Sequence, residues 1–393
     1  VSKTLYLISF YFAPLGRADG VNRAFLTRYL ADLGWNIKVI CADNPHGLLR
    51  NYQKDPSLLD VLGPRVQRFG VPYHAGIRNE LACLAHLKPD PFSHWIPAAV
   101  TEALRQIDAP GVVYAVVPPV SNALVAWQIA KQNKLPLVLD FRDNEFRLPR
   151  QCVEDAALIT ASTQHSLDDM RKRYGRQRDK HSDMVYFNGY PDLETYPTHP
   201  SVATPADPLR LIYAGLLNWE QHPAMIAHSV SDLRKRRPDL GGRLKLDYYG
   251  PRNYYTKLVM RNDQVEGTRF NGYLPFAQVR QELATSSMGI STLVAASKTY
   301  CIPSKVFQYL AAGLPILAVT PPGALSDFVE RTGTGIHVLP RPRSAIADTL
   351  ERLLDQPELL QTMRYRVQAQ REQFSLRNQI VGLDSALQEL LPR

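Results

Sequence analysis

Three short stretches of the chain gather residue types that can do chemistry. In "CIPSKVFQYLAAGLPILA", residues 301–318, a turn holding Pro303 leads into a helical pattern that stops at Gly313 and gives way to an apolar strand. A helix beginning at Pro303 or Ser304 presents unpaired backbone N–H groups and a partial positive charge, which together bind phosphate without a side chain. Proline fits a first helical turn and Ser304 is placed to cap it. Lys305 adds a point charge, and Gln308, one turn on, can reach a ribose or sugar hydroxyl. The same spacing also describes an ordinary amphipathic helix with Val306, Phe307 and Leu310 in a core.

The second stretch, "LDFRDNEF", sets Asp140, Arg142, Asp143 and Glu145 at the end of an apolar run. An arginine cannot act as a base, so Arg142 pairs with a carboxylate or orients a ligand. A structural Arg–Asp pair supporting the loop is the plain alternative. The third, "APLGRADG", carries Gly16 and Gly20 with Arg17 and Asp19 between them. Its glycines let backbone approach a ligand closely, or simply shape a turn. No H-E-x-x-H, G-x-S-x-G or G-x-x-x-x-G-K-[ST] pattern occurs, so metalloprotease, hydrolase and P-loop readings have no foothold and no metal is expected.

These stretches need elements to hold them. "TLYLISFYF", "NIKVICA", "GVVYAVV", "PLVLDF", "DAALITAS" and "DMVYFNGY" read as strands, separated by helical segments such as "VNRAFLTRYLADLG" and "SNALVAWQIAKQN". Buried strands alternating with helices describe a doubly wound α/β domain. After the proline-rich stretch at 188–208 the rhythm restarts with "LRLIYAG", "LKLDYYG", "TRFNGYL", "MGISTL", "LPILAVT" and "TGIHVL". The expected organisation is two Rossmann-like domains, 1–200 and 201–375, with a last helix over about 376–393 crossing back to the first. Ligands of such sheets lie beyond the carboxyl ends of the strands, which is where all three stretches fall.

Composition narrows the setting. The 393 residues carry a formal net charge of +9, spread through both halves rather than gathered into a nucleic-acid tail. That balance suits an anionic ligand or an acidic surface. The basic cluster "RKRYGRQRDK" at 171–180 either solvates a helix end or touches phosphates or lipid headgroups at the inner face of a membrane. Cys41, Cys83, Cys152 and Cys301 form no C-x-x-C pair, which argues against a zinc site or disulfide framework and fits a reducing cytoplasm. The opening apolar run is too short to span a bilayer. Trp95 and Trp219 are candidates for packing on sugar rings, with a core position favoured for Trp95.

"IPSKVFQYLAAGLPILA" resembles the donor-site helix of GT-B fold glycosyltransferases, particularly the large retaining family 4 that includes enzymes of surface-polysaccharide assembly. The stretches "YFAPLGRADGVNRAFLTRYLADLGWNIKVICA", "PDPFSHWIPAAV", "VVPPVSNALVAWQIAKQNKLPLVLDFRDNEF", "VYFNGYPD" and "ALSDFVERTGTGIHVL" resemble successive signatures of that family, in order, from about residue 5 to 340. The resemblance implies a GT-B fold, two Rossmann-like domains facing across a cleft. It also implies retaining, metal-independent transfer of a sugar from a nucleotide diphosphate sugar to the hydroxyl of a sugar or lipid-linked acceptor, with no further cofactor and no nucleic acid. The donor would meet Gly16, Gly215, Arg252, Pro303, Ser304, Lys305 and Gln308. Arg17, Asp19 and Gly20 would meet the acceptor, and Asp143 and Arg142 would serve catalysis.

The chain also departs from the family's pattern. Two glutamates eight positions apart are usual there, and Tyr300 and Gln308 occupy those places. The family's Arg and Lys after the first strand of the second domain are missing from "AGLLNWEQHPA", leaving Arg252, Lys298, Lys305 and His222 as substitutes. An amide at position 308 still hydrogen-bonds a ribose hydroxyl but without charge assistance. These losses keep open a relative with altered chemistry, an epimerase or a non-glycosidic coupling enzyme, or a nucleotide-sugar-binding protein that transfers nothing. A two-lobed sugar-binding protein is the rival outside the fold.

Overall fold

The computed structural model describes residues 3–16, 18–46, 54–74, 76–84, 90–177, 183–191, 196, 208–251, 256, 258 and 267–391. The chain divides into two compact units, residues 1–187 with 376–393, and residues 188–375.

The first unit is built on seven strands: β1 Thr4–Ile8, β2 Asn36–His46, β3 Val66–His74, β4 Val112–Val117, β5 Leu137–Phe141, β6 Leu158–Ala161 and β7 Met184–Val185. They pair in the order β3-β2-β1-β4-β5-β6-β7, and every pairing is parallel. Strands covered on both faces read as unbroken apolar runs, and β1, β4, β5 and β6 are buried along their whole length. The strand expected over residues 4–12 ends at Ile8, beyond which the Phe10 N–H donates to Asn122 Oδ1 at 3.0 Å. β3 has no counterpart among the expected strands. It is an edge strand with half-exposed residues and carries Gly70 and Pro72, so its sequence shows no apolar run.

One face of this sheet holds a core that includes Ile8, Val113, Leu139, Phe141 and Ile159. Trp95, 1% exposed, packs there edge-on to Phe10, so it belongs to the core. The C-terminal helix Leu376–Glu389 lies in this unit, where Trp35 Nε1 donates to Asp384 at 2.7 Å and Arg377 covers the Tyr29 ring. Of the basic cluster at 171–180, Arg173 pairs with Asp169 at 2.8 Å and Arg176 with Asp183 at 2.8 Å, and Arg171 Nη2 donates to the Asp183 carbonyl. These arginines fasten the end of the helix Gln164–Tyr174, which Gly175 closes in a left-handed conformation.

The second unit holds β8 Leu209–Ala214, β9 Leu244–Tyr249, β10 Thr268–Gly272, β11 Met288–Thr292, β12 Ile316–Val319 and β13 Gly335–Val338, in the order β10-β9-β8-β11-β12-β13. All six expected strands are present and all pair in parallel. In both sheets the winding direction reverses beside the first strand, so each has a switch point, between β1 and β4 and between β8 and β11.

Candidate functional site

The helix Ser304–Ala311 sits over the switch point of the second sheet because of Tyr309. The Tyr309 hydroxyl accepts the Ala214 N–H at 3.0 Å and donates to the Ile290 carbonyl at 3.1 Å, bridging the end of β8 to the middle of β11. Its ring lies against Gly289, where a Cβ would fall 2.3 Å from ring carbons. Sequence reading missed Tyr309, since a tyrosine at helical spacing looks like any core residue.

Lys305 is four positions before Tyr309 and so lies on the same helix face, directed at the end of β8. It is 6% exposed. Its Nζ donates to Gln221 Oε1 at 2.8 Å and stands 3.7 Å from the centre of the Tyr213 ring. Gly215, at φ +143, gives the lysine its room: a Cβ there would come within 3.1 Å of Lys305 Cε. The Tyr213 hydroxyl, with one proton to donate, lies between the Leu216 carbonyl at 2.8 Å and Gln221 Oε1. Among the described residues no carboxylate is within ion-pair reach of Lys305, and burial drives its pKa well below the ordinary lysine value. A buried lysine met, among the described residues, by an amide oxygen and an aromatic face is an arrangement that can take up an anion.

The helix start adds to this. Pro303 occupies the cap position, not Ser304, which is the first helical residue, and no side chain caps the helix. The expectation that Ser304 caps is therefore corrected: proline has no side-chain acceptor, the Val306 N–H turns back to the Pro303 carbonyl at 3.0 Å, and no side chain takes the N–H groups of Ser304 and Lys305 among the described residues. Gln308 lies one turn beyond Ser304, half-buried. Lys298 is buried at the end of the short turn Ala296–Lys298. In the loop after β8, the Trp219 and His222 rings lie nearly parallel at 17°, with Trp219 57% exposed and His222 at φ +41. Burial, with a smaller contribution from His228, holds the His222 imidazole below its ordinary pKa.

In the first unit, Arg142 follows β5, and its side chain is 6% exposed. Its Nε donates to Asp140 at 2.8 Å, its Nη1 to the Tyr186 carbonyl at 2.8 Å, and its guanidinium lies 4.4 Å from the Tyr186 ring centre. Asp140 also faces Arg23 at 3.5 Å and accepts from Thr160 Oγ1 at 2.7 Å. Burial opposes the Arg142 charge, and Asp140 with the nearby Tyr114 and Tyr186 more than offsets it, so its pKa stands above the ordinary value. Arg142 thus pairs with Asp140, two residues back, rather than with Asp143. Asp143 is half-buried, its Oδ1 accepts the Glu145 N–H at 3.2 Å, and its loop is anchored through Asn144 to Ser166 and Asp169.

Gly16 is half-buried in the loop after β1. Gly20 lies inside the helix Ala18–Asp32, where a Cβ would fall 2.0 Å from the Leu15 carbonyl oxygen, so a close turn accounts for this glycine. Arg17 and Arg252 lie outside the described residues, as does the side chain of Asp19. The structure therefore brings Gly215 and Lys305 together at one sheet's switch point, at the foot of the helix that carries Pro303, Ser304 and Gln308. It adds Gln221 and Tyr213 to them. Arg142 and Asp143 belong to the other unit. Among the described residues no three His, Cys, Asp or Glu side chains are grouped as a metal site requires.

Solved structures share this architecture over the full chain. The Anabaena protein Alr3699/HepE, solved in complex with UDP, superposes with a TM-score of 0.67 at 15% identity, covering 98% of this chain and 99% of that one. The alpha,alpha-trehalose 6-phosphate synthase of Burkholderia multivorans superposes with a TM-score of 0.70 at 12% identity, covering 99% of each. The fold is GT-B. Within it, residues 208–356, most of the second unit, match the family described as Glycosyl transferases group 1. The probable glycosyltransferase WbjE of Pseudomonas aeruginosa is 35% identical over 94 residues, a stretch that spans 24% of this chain and 24% of that protein.

Proposed function

We propose that the chain is a glycosyltransferase that moves a sugar from a nucleoside diphosphate sugar to an acceptor hydroxyl. One observation carries the reading: Lys305 is buried, with no carboxylate in ion-pair reach among the described residues, beside the start of the helix Ser304–Ala311, which no side chain caps. A departing diphosphate gains negative charge as the glycosidic bond breaks, and fixed N–H dipoles with a desolvated cation stabilise that charge far better than water does. The match of residues 208–356 to group 1 glycosyl transferases, and a like-folded protein solved with UDP, support a nucleotide-sugar donor in this unit.

In this reading Gly215, Ser304 and Lys305 hold the diphosphate, Gln308 meets a ribose hydroxyl, and Arg252 adds a second cation. Asp143 faces the acceptor hydroxyl or the positive sugar ring of the transition state. Arg142, engaged with Asp140 and the Tyr186 carbonyl, orients the Asp143 loop rather than touching substrate. Gly16 approaches the donor, and Arg17, Asp19 and Gly20 border the acceptor. Transfer retains the donor's configuration, runs without a metal, and serves glycan or glycoconjugate assembly in the cytoplasm, with an acceptor that is a sugar or lipid-linked. No described helix is long and apolar enough to cross a membrane, and the proposed contact with the inner face of one is peripheral.

The test is acceptor-dependent release of nucleotide from a panel of nucleotide sugars, run with a chelator present. Turnover in chelator is expected. Binding with no release for any acceptor would favour the non-transferring alternatives, and activity restored only by a divalent ion would overturn the metal-free route.

A further inference from the structure

We propose that Gln221 is a positioning residue: with the Tyr213 ring it holds the Lys305 ammonium in place through groups that are neutral, with no carboxylate in reach among the described residues, so that this lysine is kept for an anionic ligand. The inference rests on reading the site as a diphosphate site and adds to it a residue that the sequence did not single out.

The loop after β8 fixes where Gln221 points. The Gln221 N–H donates to Asn218 Oδ1 at 2.9 Å and the His222 N–H to the Asn218 carbonyl at 2.8 Å, closing a tight asparagine turn. The Val294 and Ala295 N–H groups both reach the Glu220 carbonyl, at 2.8 and 3.2 Å, tying the loop to the segment after β11. His222 is held at φ +41, a conformation a non-glycine residue rarely adopts, where functional loops often store strain. The result is an amide oxygen set 2.8 Å from Lys305 Nζ.

The neutrality of that oxygen is what matters chemically. A glutamate at 221 would place its carboxylate on the same ammonium, satisfy it in the free protein, and set a negative charge where the diphosphate must come. An amide orients Lys305 and leaves its charge uncommitted. The titratable groups on the surrounding elements are Tyr213 of β8, Tyr309 of its own helix, Glu220 and His222 of the loop, and Lys298 after β11. Burial is what moves Lys305 away from the ordinary lysine pKa. An arriving diphosphate supplies both the counter-charge and the reason for Lys305 to hold a proton, so binding draws in a proton wherever the free lysine is neutral.

The full chain is titrated calorimetrically with UDP, GDP and ADP from about pH 6 to about pH 10, in two buffers of different ionisation heat, with thermal melts of each variant as the folding control. In the wild type, affinity is expected to fall as pH rises through the Lys305 titration, by up to about tenfold per pH unit, with buffer-dependent heat reporting proton uptake. Gln221→Glu is expected to lose that slope and to bind about tenfold or more weakly at the low end. Gln221→Met, which keeps neutrality but not the acceptor, is expected to keep the slope with a few-fold loss. A folded Gln221→Glu with wild-type affinity and slope would overturn the role of Gln221 while leaving the diphosphate site standing. No binding of any of the three nucleotides to the wild type would overturn both.

Discussion

Replacing Lys305 with Met keeps an unbranched side chain of similar length against the Tyr213 ring and Gly215 while removing the charge and the donor. A hydrogen bond to a charged group contributes about 1.5–3 kcal/mol. At about 1.4 kcal/mol per tenfold, the variant should bind nucleoside diphosphate about 10- to 150-fold more weakly, read by calorimetry at neutral pH. Stability should move the other way. The folded-state pKa of Lys305 lies well below its unfolded value, so between the two the unfolded chain binds more protons and wild-type stability rises with pH. The burial penalty is full below the folded pKa and absent above the unfolded one. Lys305→Met should therefore melt higher than wild type, by the widest margin at the acid end, with the difference narrowing as pH rises toward the ordinary lysine value. A folded variant that binds within twofold of wild type would refute the assignment of Lys305 to the diphosphate, and a lower melting temperature at every pH would refute the uncompensated-cation argument.

Asp143→Asn should cut turnover about 10²- to 10⁴-fold, the range for loss of a general acid or base, with donor affinity unchanged. Equal turnover in a rate assay would reduce Asp143 to the turn it makes with the Glu145 N–H. Arg142→Met leaves the buried Asp140 with Arg23, at 3.5 Å, as its one cation among the described residues, and should cost about 3–5 kcal/mol in urea unfolding. A loss under about 1 kcal/mol would show that the pair does not hold the loop. Gln308→Glu should keep or modestly tighten donor binding, since a carboxylate accepts a hydroxyl proton with charge assistance. Abolished binding in the same titration would show that the amide itself is required.

What the sequence disclosed follows how each feature is written into it. Strands buried on both faces need apolar residues, so β8 and β12 could be read from their runs alone, and the half-exposed edge strand β10 from its place between turns. β3 could not, because an edge strand with Gly70 and Pro72 and half-exposed residues carries no such run. Lys305 was legible because a cation at a helix start has a local meaning. Gln221 was not, because its role depends on a lysine 84 positions away that becomes its neighbour only in the fold. Arg142 shows a third case. The residue type announced a carboxylate partner, but strand geometry chose Asp140, whose side chain shares the buried face with Thr160 and Arg23, over the adjacent Asp143.

The claim that the second unit seats a nucleoside diphosphate against Lys305 is tested most directly by melting the full chain in the presence of UDP, GDP, ADP and CDP. A ligand at about a hundredfold over its Kd stabilises by about 2.7 kcal/mol, enough to raise the melting temperature by a few degrees. At least one diphosphate should do so for the wild type, and the same compound should lose that effect on Lys305→Met. Melting temperatures unmoved by every nucleotide, or moved equally in both proteins, would contradict the account.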